Sequence, residues 1–196
     1  MFFFDRKISL ETDRLLLRPP KQRDFAQWAN LRHESRAFLK PWDPTWSRDH
    51  LTRKYFANRV DWSQRSVNNG TAYPLLIFGK TDQRLVGSIT LDNIRRGPSQ
   101  VGTVGYWVGQ PYANRGYMKE ALKRVVDFAF FKVNISRLEA ACLPENAPSR
   151  AVLEKTGFKY EGVAQAYIQI DGRWRTHVLY ASLRNDRRGK TDIGVG

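Results

Sequence analysis

The sequence predicts an α/β protein built on a mixed β-sheet with helices on both faces. Three observations lead there. Three β-rich stretches follow one another on short turns between residues 73 and 108, which implies antiparallel pairing. Two strand–helix–strand units come after them, and such units imply some parallel pairing. Between them lies the clearest helix of the chain, residues 115–132. Its Met118, Ala121, Leu122, Val125, Val126 and Ala129 form one apolar stripe, opposite a wet face of Lys119, Glu120, Lys123 and Arg124. A helix apolar on one side only has to cover something flat.

Each element has its own signal. Residues 10–18 alternate into Leu15-Leu16-Leu17 and stop at Pro19-Pro20, which reads as a first strand. Residues 24–39 carry Phe25, Trp28, Leu31 and Phe38 at helical spacing. Pro41 and Pro44 end that pattern and leave Trp42 and Trp46 on a loop. A second helix is expected over 48–68, with Leu51, Tyr55, Phe56 and Val60 facing inward. Strands follow at 73–78, 85–94 and 102–108, on turns at Asp82-Gln83 and Gly97-Pro98. Beyond the strong helix come a strand at 135–143, a short helix at 149–156 that Gly157 terminates, and strands at 158–170 and 173–183. Asp171-Gly172 between the last two is a type I′ hairpin signal. Residues 1–184 are expected to form a single domain and 185–196 a polar, frayed tail.

Composition narrows the class. A hydrophobic content of 41% with 13% aromatics is enough for a packed core, which excludes wholesale disorder. No apolar run reaches the roughly 18 residues of a membrane span. Met1-Phe2-Phe3-Phe4 is cut short by Asp5, Arg6 and Lys7 and lacks the order of a signal peptide, so a cytoplasmic protein is expected. Cys142 is the only cysteine, which excludes an intrachain disulfide, and its apolar neighbours suggest a buried, inert thiol rather than a nucleophile. His33, His50 and His177 show no metal-ligand spacing, and no metal is expected. The net charge of +14 predicts attraction to polyanions, whether nucleic acid, a ribosome surface or a multiply phosphorylated cofactor.

The segment carrying chemistry is residues 110–118, between the strand Tyr106-Trp107-Val108 and the strong helix. A strand, a tight loop and a helix start aim several unpaired amides at one point, where the helix dipole adds about half a positive charge. Gly116 lets a phosphate approach, Asn114 tolerates a left-handed backbone, and Arg115 adds a cation. On its own this loop is equally an ordinary strand-to-helix turn. It is neither a P-loop nor a dinucleotide fingerprint. Farther on, Asn146 opens a helical segment with Ser149 one turn later, which alone is an ordinary helix cap.

Taken together, these segments resemble the GCN5-related N-acetyltransferase superfamily, in its branch of ribosomal-protein alanine acetyltransferases. The likeness rests on Glu11-Thr12-Asp13-Arg14-Leu15-Leu16-Leu17-Arg18, on Phe38-Leu39-Lys40-Pro41-Trp42-Asp43-Pro44, and on Asn93-Ile94-Arg95-Arg96-Gly97. It continues through Gly105-Tyr106-Trp107-Val108-Gly109, Asn146-x-x-Ser149 with Lys155-x-Gly157-Phe158, and Asp171-Gly172-Arg173-Trp174. The resemblance implies a mostly antiparallel sheet with one splayed parallel pair, and acetyl-CoA as cofactor. It implies that the amides of Asn114, Arg115, Gly116, Tyr117 and Met118 hold the pyrophosphate, and that the opened edge at Trp107 and Val108 pairs with pantetheine. Asn146 would hydrogen-bond the pantetheine arm, and Ser149 would lie near the thioester sulfur. Three positions depart from the pattern: Asn114 replaces a glycine, Leu153 stands where many relatives carry a tyrosine acid, and Thr176 replaces an aspartate before His177.

The implied reaction is attack of a primary amine, most simply a protein N-terminus, on the thioester. Asp92, near the end of a central strand, is the candidate base, and is equally a surface carboxylate; Ser149 is the candidate acid, and is equally a capping residue. Trp42, Tyr167 and Trp174 are candidates for the acceptor wall. Two other readings stay open: a small-molecule amine or antibiotic as acceptor, and a basic nucleic-acid-binding module without catalysis. Against the latter, the basic residues are dispersed and no RNA-binding aromatic signature is present, so nucleic-acid binding beyond charge attraction is not expected. A peptide or protein N-terminus, in a ribosomal context, is the expected partner of a monomer or homodimer.

Overall fold

A computed structural model describes residues 8–184; Met1–Phe4 and the tail expected over 185–196 lie outside them. Eight strands form one sheet in the order β1-β2-β3-β4-β5-β6-β8-β7. They are β1 (Leu10–Glu11), β2 (Leu15–Arg18), β3 (Tyr73–Gly79), β4 (Leu85–Arg95), β5 (Val101–Val108), β6 (Arg137–Cys142), β7 (Lys159–Ile170) and β8 (Arg173–Leu183). Every neighbouring pair is antiparallel except β5–β6, which is parallel. The helices are α1 (Phe25–Glu34), α2 (Arg36–Leu39), α3 (Arg53–Asn69), α4 (Tyr117–Phe131) and α5 (Ala147–Lys155). The mixed sheet and the splayed parallel pair expected from the sequence are both present.

Most element ends lie within about two residues of expectation; three larger differences have a physical reason in the structure. The stretch 10–18 is a tight hairpin rather than one strand. The Thr12 side chain accepts the Leu15 N–H at 2.9 Å while the Thr12 N–H donates to the Leu15 carbonyl at 3.0 Å. The turn puts Arg14 at its tip. The helix expected over 24–39 breaks at Ser35, whose hydroxyl accepts the Gln110 N–H at 2.9 Å and so ties α1–α2 to the loop after β5. The second helix starts at Arg53 rather than 48 because Thr52 caps it, accepting the Tyr55 N–H at 3.2 Å. Asp171 and Gly172 take φ of 45° and 79°, the two positive values a type I′ turn requires.

The sheet separates two apolar cores. On one face, α4 and α5 bury Ala121, Leu122, Val125, Ala129 and Leu153 against Leu15, Leu17, Ile89 and Leu138. On the other, Trp28 and Leu31 of α1 and Phe56 and Val60 of α3 pack on Leu76, Phe78 and Leu85. Arg18 at the end of β2 makes a two-pronged ion pair with the buried Asp24, at 2.7 and 2.8 Å, and so fixes where α1 leaves the sheet. α1 and α3 thereby stand beside the open end of the sheet, and the loop between α2 and α3 arches over it.

Candidate active site

The parallel pair is joined only at its start. Val101, Gly102 and Thr103 pair with Arg137, Leu138 and Glu139, after which β5 and β6 diverge. Residues 104–108 stay bonded to β4 on one side and present unpaired backbone groups on the other. An open edge of this kind is a template for an extended chain bearing amides. Gly87 of β4 makes the close approach possible, since a Cβ there would collide with the Trp107 carbonyl oxygen and lie 3.0 Å from Val108 Cα.

At the end of β5 the chain makes a short 3₁₀ turn (Gln110–Tyr112) and then a nest. Asn114 has φ 60° and Gly116 φ 76°, both left-handed, and Gly116 is the N-cap of α4. The first bond back into this turn runs from Glu120 N–H to the Gly116 carbonyl, at 3.1 Å. The amides of Asn114, Arg115, Gly116, Tyr117 and Met118 therefore have no acceptor among the described residues. Arg14 braces the nest from the β1–β2 hairpin. It donates to the Arg115 carbonyl at 3.2 Å and to Glu120 at 2.6 Å, and lies over the Tyr117 ring at 4.6 Å. Five free amides, a helix N-terminus and two guanidiniums make a site for a pyrophosphate.

Across the splay, on the α4 face, Tyr106 of β5 reaches Ser149 of α5: the two hydroxyl oxygens are 3.0 Å apart. Burial pushes the Tyr106 phenol above its ordinary range, so it stays protonated and serves as a donor. Cys142, at the end of β6, is buried in the core on the same face. Burial raises its thiol pKa, so this cysteine is the inert thiol expected rather than a thiolate. Asn146 caps α5, its side-chain oxygen accepting the Ser149 N–H at 3.1 Å, and its amide nitrogen remains able to donate. Arg150 donates to the Tyr180 hydroxyl at 3.1 Å, and Tyr180 donates to Glu154 at 2.8 Å, locking this helix onto β8.

On the opposite face the splay opens into a cavity of about 650 Å³. Asp92, Trp107, Glu139 and Tyr167 are among its walls, and the α2–α3 loop crosses it at Asp43 and Pro44. That loop is fastened to the β7–β8 turn by the Asp171 N–H donating to the Asp43 carbonyl at 3.1 Å. Of the four carboxylates lining the cavity, Asp43 is bonded to Arg32, and Glu139 and Glu161 to Arg137. Asp92 has no ion pair among the described residues; its side chain accepts the Asn93 N–H at 2.7 Å. It pairs with Thr103, three residues before Tyr106 on β5, or roughly 10 Å along a strand. A proton could reach Asp92 from the splay only through water.

The structure brings together most of the site residues expected from the sequence. Trp107, Val108, Asn114, Arg115, Gly116, Tyr117 and Met118 form one continuous track, with Asn146 and Ser149 beside it. Tyr167 lines the cavity of about 650 Å³, but Trp42 and Trp174 line neither this cavity nor its smaller neighbour. Trp42 is drawn back into the turn after α2, its N–H donating to the Leu39 carbonyl at 2.9 Å, and Trp174 lies exposed near the hairpin tip. Trp46, Trp62 and Trp107 supply the walls instead. Sequence reasoning missed Tyr106 and Arg14. Leu153 is 1% exposed in the core, so no phenol can come from that helix position; a phenol comes from the facing strand. Among the described residues, no three His, Cys, Asp or Glu side chains converge to hold a metal ion.

Few ligands ask for an open strand edge and an unbonded helix start one after the other. A pantetheine chain ending in a pyrophosphate does, so this fold and site define a coenzyme A-dependent acyltransferase. Comparison with known proteins agrees. Residues 14–159 match the acetyltransferase (GNAT) domain family. The [Ribosomal protein uS5]-alanine N-acetyltransferase of Escherichia coli is 33% identical over 175 residues, 89% of this chain and 90% of that protein. The ribosomal-protein-S5-alanine acetyltransferase structure from Vibrio fischeri superposes with a TM-score of 0.85 at 30% identity, covering 91% of this chain and 98% of that one. RimJ of Mycobacterium smegmatis, solved in complex with CoA-disulfide, gives 0.83 at 30% identity over 92% and 88%. The chain belongs to the GNAT acetyltransferase family and is an N-acetyltransferase that draws its acetyl group from acetyl-CoA.

Proposed function

We propose that the acceptor is the α-amino group of a protein N-terminus, and that the protein is ribosomal. The reading is carried by the likeness, over nearly the whole chain, to a relative named as an alanine N-acetyltransferase of ribosomal protein uS5. The net charge of +14 supports it, because an RNA-rich particle attracts such a surface. The cofactor supplies an activated acetyl group, held along the edge of residues 104–108 with its phosphates on the amides of 114–118. The chain's own residues do the rest. Asp92, the unpaired carboxylate of the cavity, takes the proton of the incoming amine through water. An α-amine, with a pKa near 8 rather than about 10.4 for lysine, asks little of such a base. Ser149, backed by the protonated Tyr106, donates to the departing thiolate. We infer that the enzyme works in the cytoplasm, where its cofactor and newly made ribosomal proteins meet, and that as monomer or homodimer each copy carries a whole site.

The test is to incubate the enzyme with acetyl-CoA and unacetylated ribosomal proteins and to map the product by tandem mass spectrometry. A single acetyl group on the α-nitrogen of one or a few proteins is expected. Acetyl found only on lysine side chains, or only on added small amines such as spermidine, would exclude the proposal.

A further inference from the structure

A second cavity, of about 380 Å³, adjoins the first, and the two share Asp43, Pro44, Arg59 and Trp107 as walls. Trp107 follows Tyr106 on β5, so this junction borders the place where the acceptor must react. Two guanidiniums face it. Arg32 is held at Nη2 and between two rings, while its buried Nε has no hydrogen-bond partner among the described residues. It donates to Asp43 at 2.8 Å, and its guanidinium lies 4.2 Å from the Trp46 ring and 4.8 Å from the Trp107 ring. Trp46 uses the same Asp43 oxygen, donating to it at 3.0 Å. The one carboxylate of the junction is thereby committed.

Arg59, which projects from α3, is different. It makes no hydrogen bond and no ion pair among the described residues, although burial pulls its pKa down. The neighbouring His50 stays neutral and adds no charge to the junction, because burial and the two arginines hold its pKa down to about 4. Arg59 is half-buried, lines both cavities and meets no carboxylate among the described residues, so its guanidinium is placed to take a carboxylate from a ligand. With Arg32 and Arg59 against Asp43 alone, the junction keeps an excess positive charge.

We propose that Arg59 is a specificity residue that pairs with a carboxylate in the acceptor, namely an aspartate or glutamate side chain within the first few residues of the N-terminal segment being acetylated. This rests on the peptide-acceptor reading of the first cavity and names the kind of sequence it takes. The segment enters amine first, its α-nitrogen toward the splay, and its acidic side chain turns under the α2–α3 loop to the Arg59 guanidinium. The pair is planar and two-pronged, so lysine at the same place serves less well.

The experiment uses two C-terminally amidated peptides that begin with alanine and differ only in Glu or Gln at one early position, so that the side chain is the only variable carboxylate. Wild-type enzyme is expected to favour the Glu peptide by roughly tenfold or more in kcat/KM. Arg59→Gln brings the Glu peptide down to the Gln peptide's value, and Arg59→Lys recovers part of the preference. Titration calorimetry of the same peptides into the CoA-bound protein reads the subsite without turnover, so failure of transfer and failure of the subsite are told apart. Arg59→Gln melts at or above the wild-type temperature, because the charge it removes has no partner. A wild-type preference below twofold in both assays, or an unaltered preference in Arg59→Gln, overturns the proposal.

Discussion

Replacing Ser149 by alanine is expected to lower kcat by about ten- to a hundredfold while leaving the dissociation constant for coenzyme A within about twofold. The loss stays at the low end of acid catalysis because a thiolate, with a pKa near 8.5, leaves water with little help. Tyr106→Phe is expected to act in the same direction. Its phenol, kept protonated by burial, lies 3.0 Å from the Ser149 hydroxyl and orients it to donate outward. Since both side chains serve one proton path, the double variant should be little worse than the poorer single variant, and a rate loss equal to the product of the two would break the link. A Tyr106→Phe enzyme with wild-type kcat would show that Ser149 acts without it.

Gly116→Val is the second large effect. Gly116 sits at φ 76° as the N-cap of α4, with Arg14 Nη2 only 3.6 Å from where a Cβ would stand. A β-branched residue there costs about 1–3 kcal/mol in backbone strain, or bends the nest to escape it, and its side chain crowds the five unbonded amides. The KM for acetyl-CoA is expected to rise by roughly tenfold or more, with kcat altered less and the far-ultraviolet dichroism retained. Asn114→Gly is the matched control. Its backbone is also left-handed, at φ 60°, and glycine takes that conformation freely, so binding should hold within about twofold. Wild-type affinity in Gly116→Val would move the pyrophosphate away from this loop.

Much of this was legible because it is local chemistry. The apolar stripe of α4, the turn at Asp171-Gly172 and the left-handed positions Asn114 and Gly116 follow from backbone rules that hold whatever surrounds them. Ser149 and Asn146 read alone as a helix cap, and only the family resemblance marked them as site residues. What could not be read was tertiary. Ser35 breaks its helix to reach Gln110, 75 residues away, and no local propensity encodes that bond. Tyr106 looks like a strand aromatic until α5 is packed across the splay. Arg14 looks like a surface charge until the β1–β2 hairpin carries it to the Arg115 carbonyl. Trp42 and Trp46 are alike on one proline-rich loop, and only the fold says which of them turns inward to Arg32 and which does not. The Arg59 guanidinium gave no signal, because an unpaired cation is visible only once every neighbour has been placed.

Hydrogen exchange read by mass spectrometry, with and without acetyl-CoA, most directly tests where the cofactor lies. Two stretches carry backbone groups that no other part of the described chain bonds: the open edge of β5 over residues 104–108 and the nest over 114–118. Both are expected to gain protection together on adding acetyl-CoA, with little change in β2 and β3 on the far side of the sheet. Protection that spares either stretch, or that appears first in β2 and β3, would contradict the site.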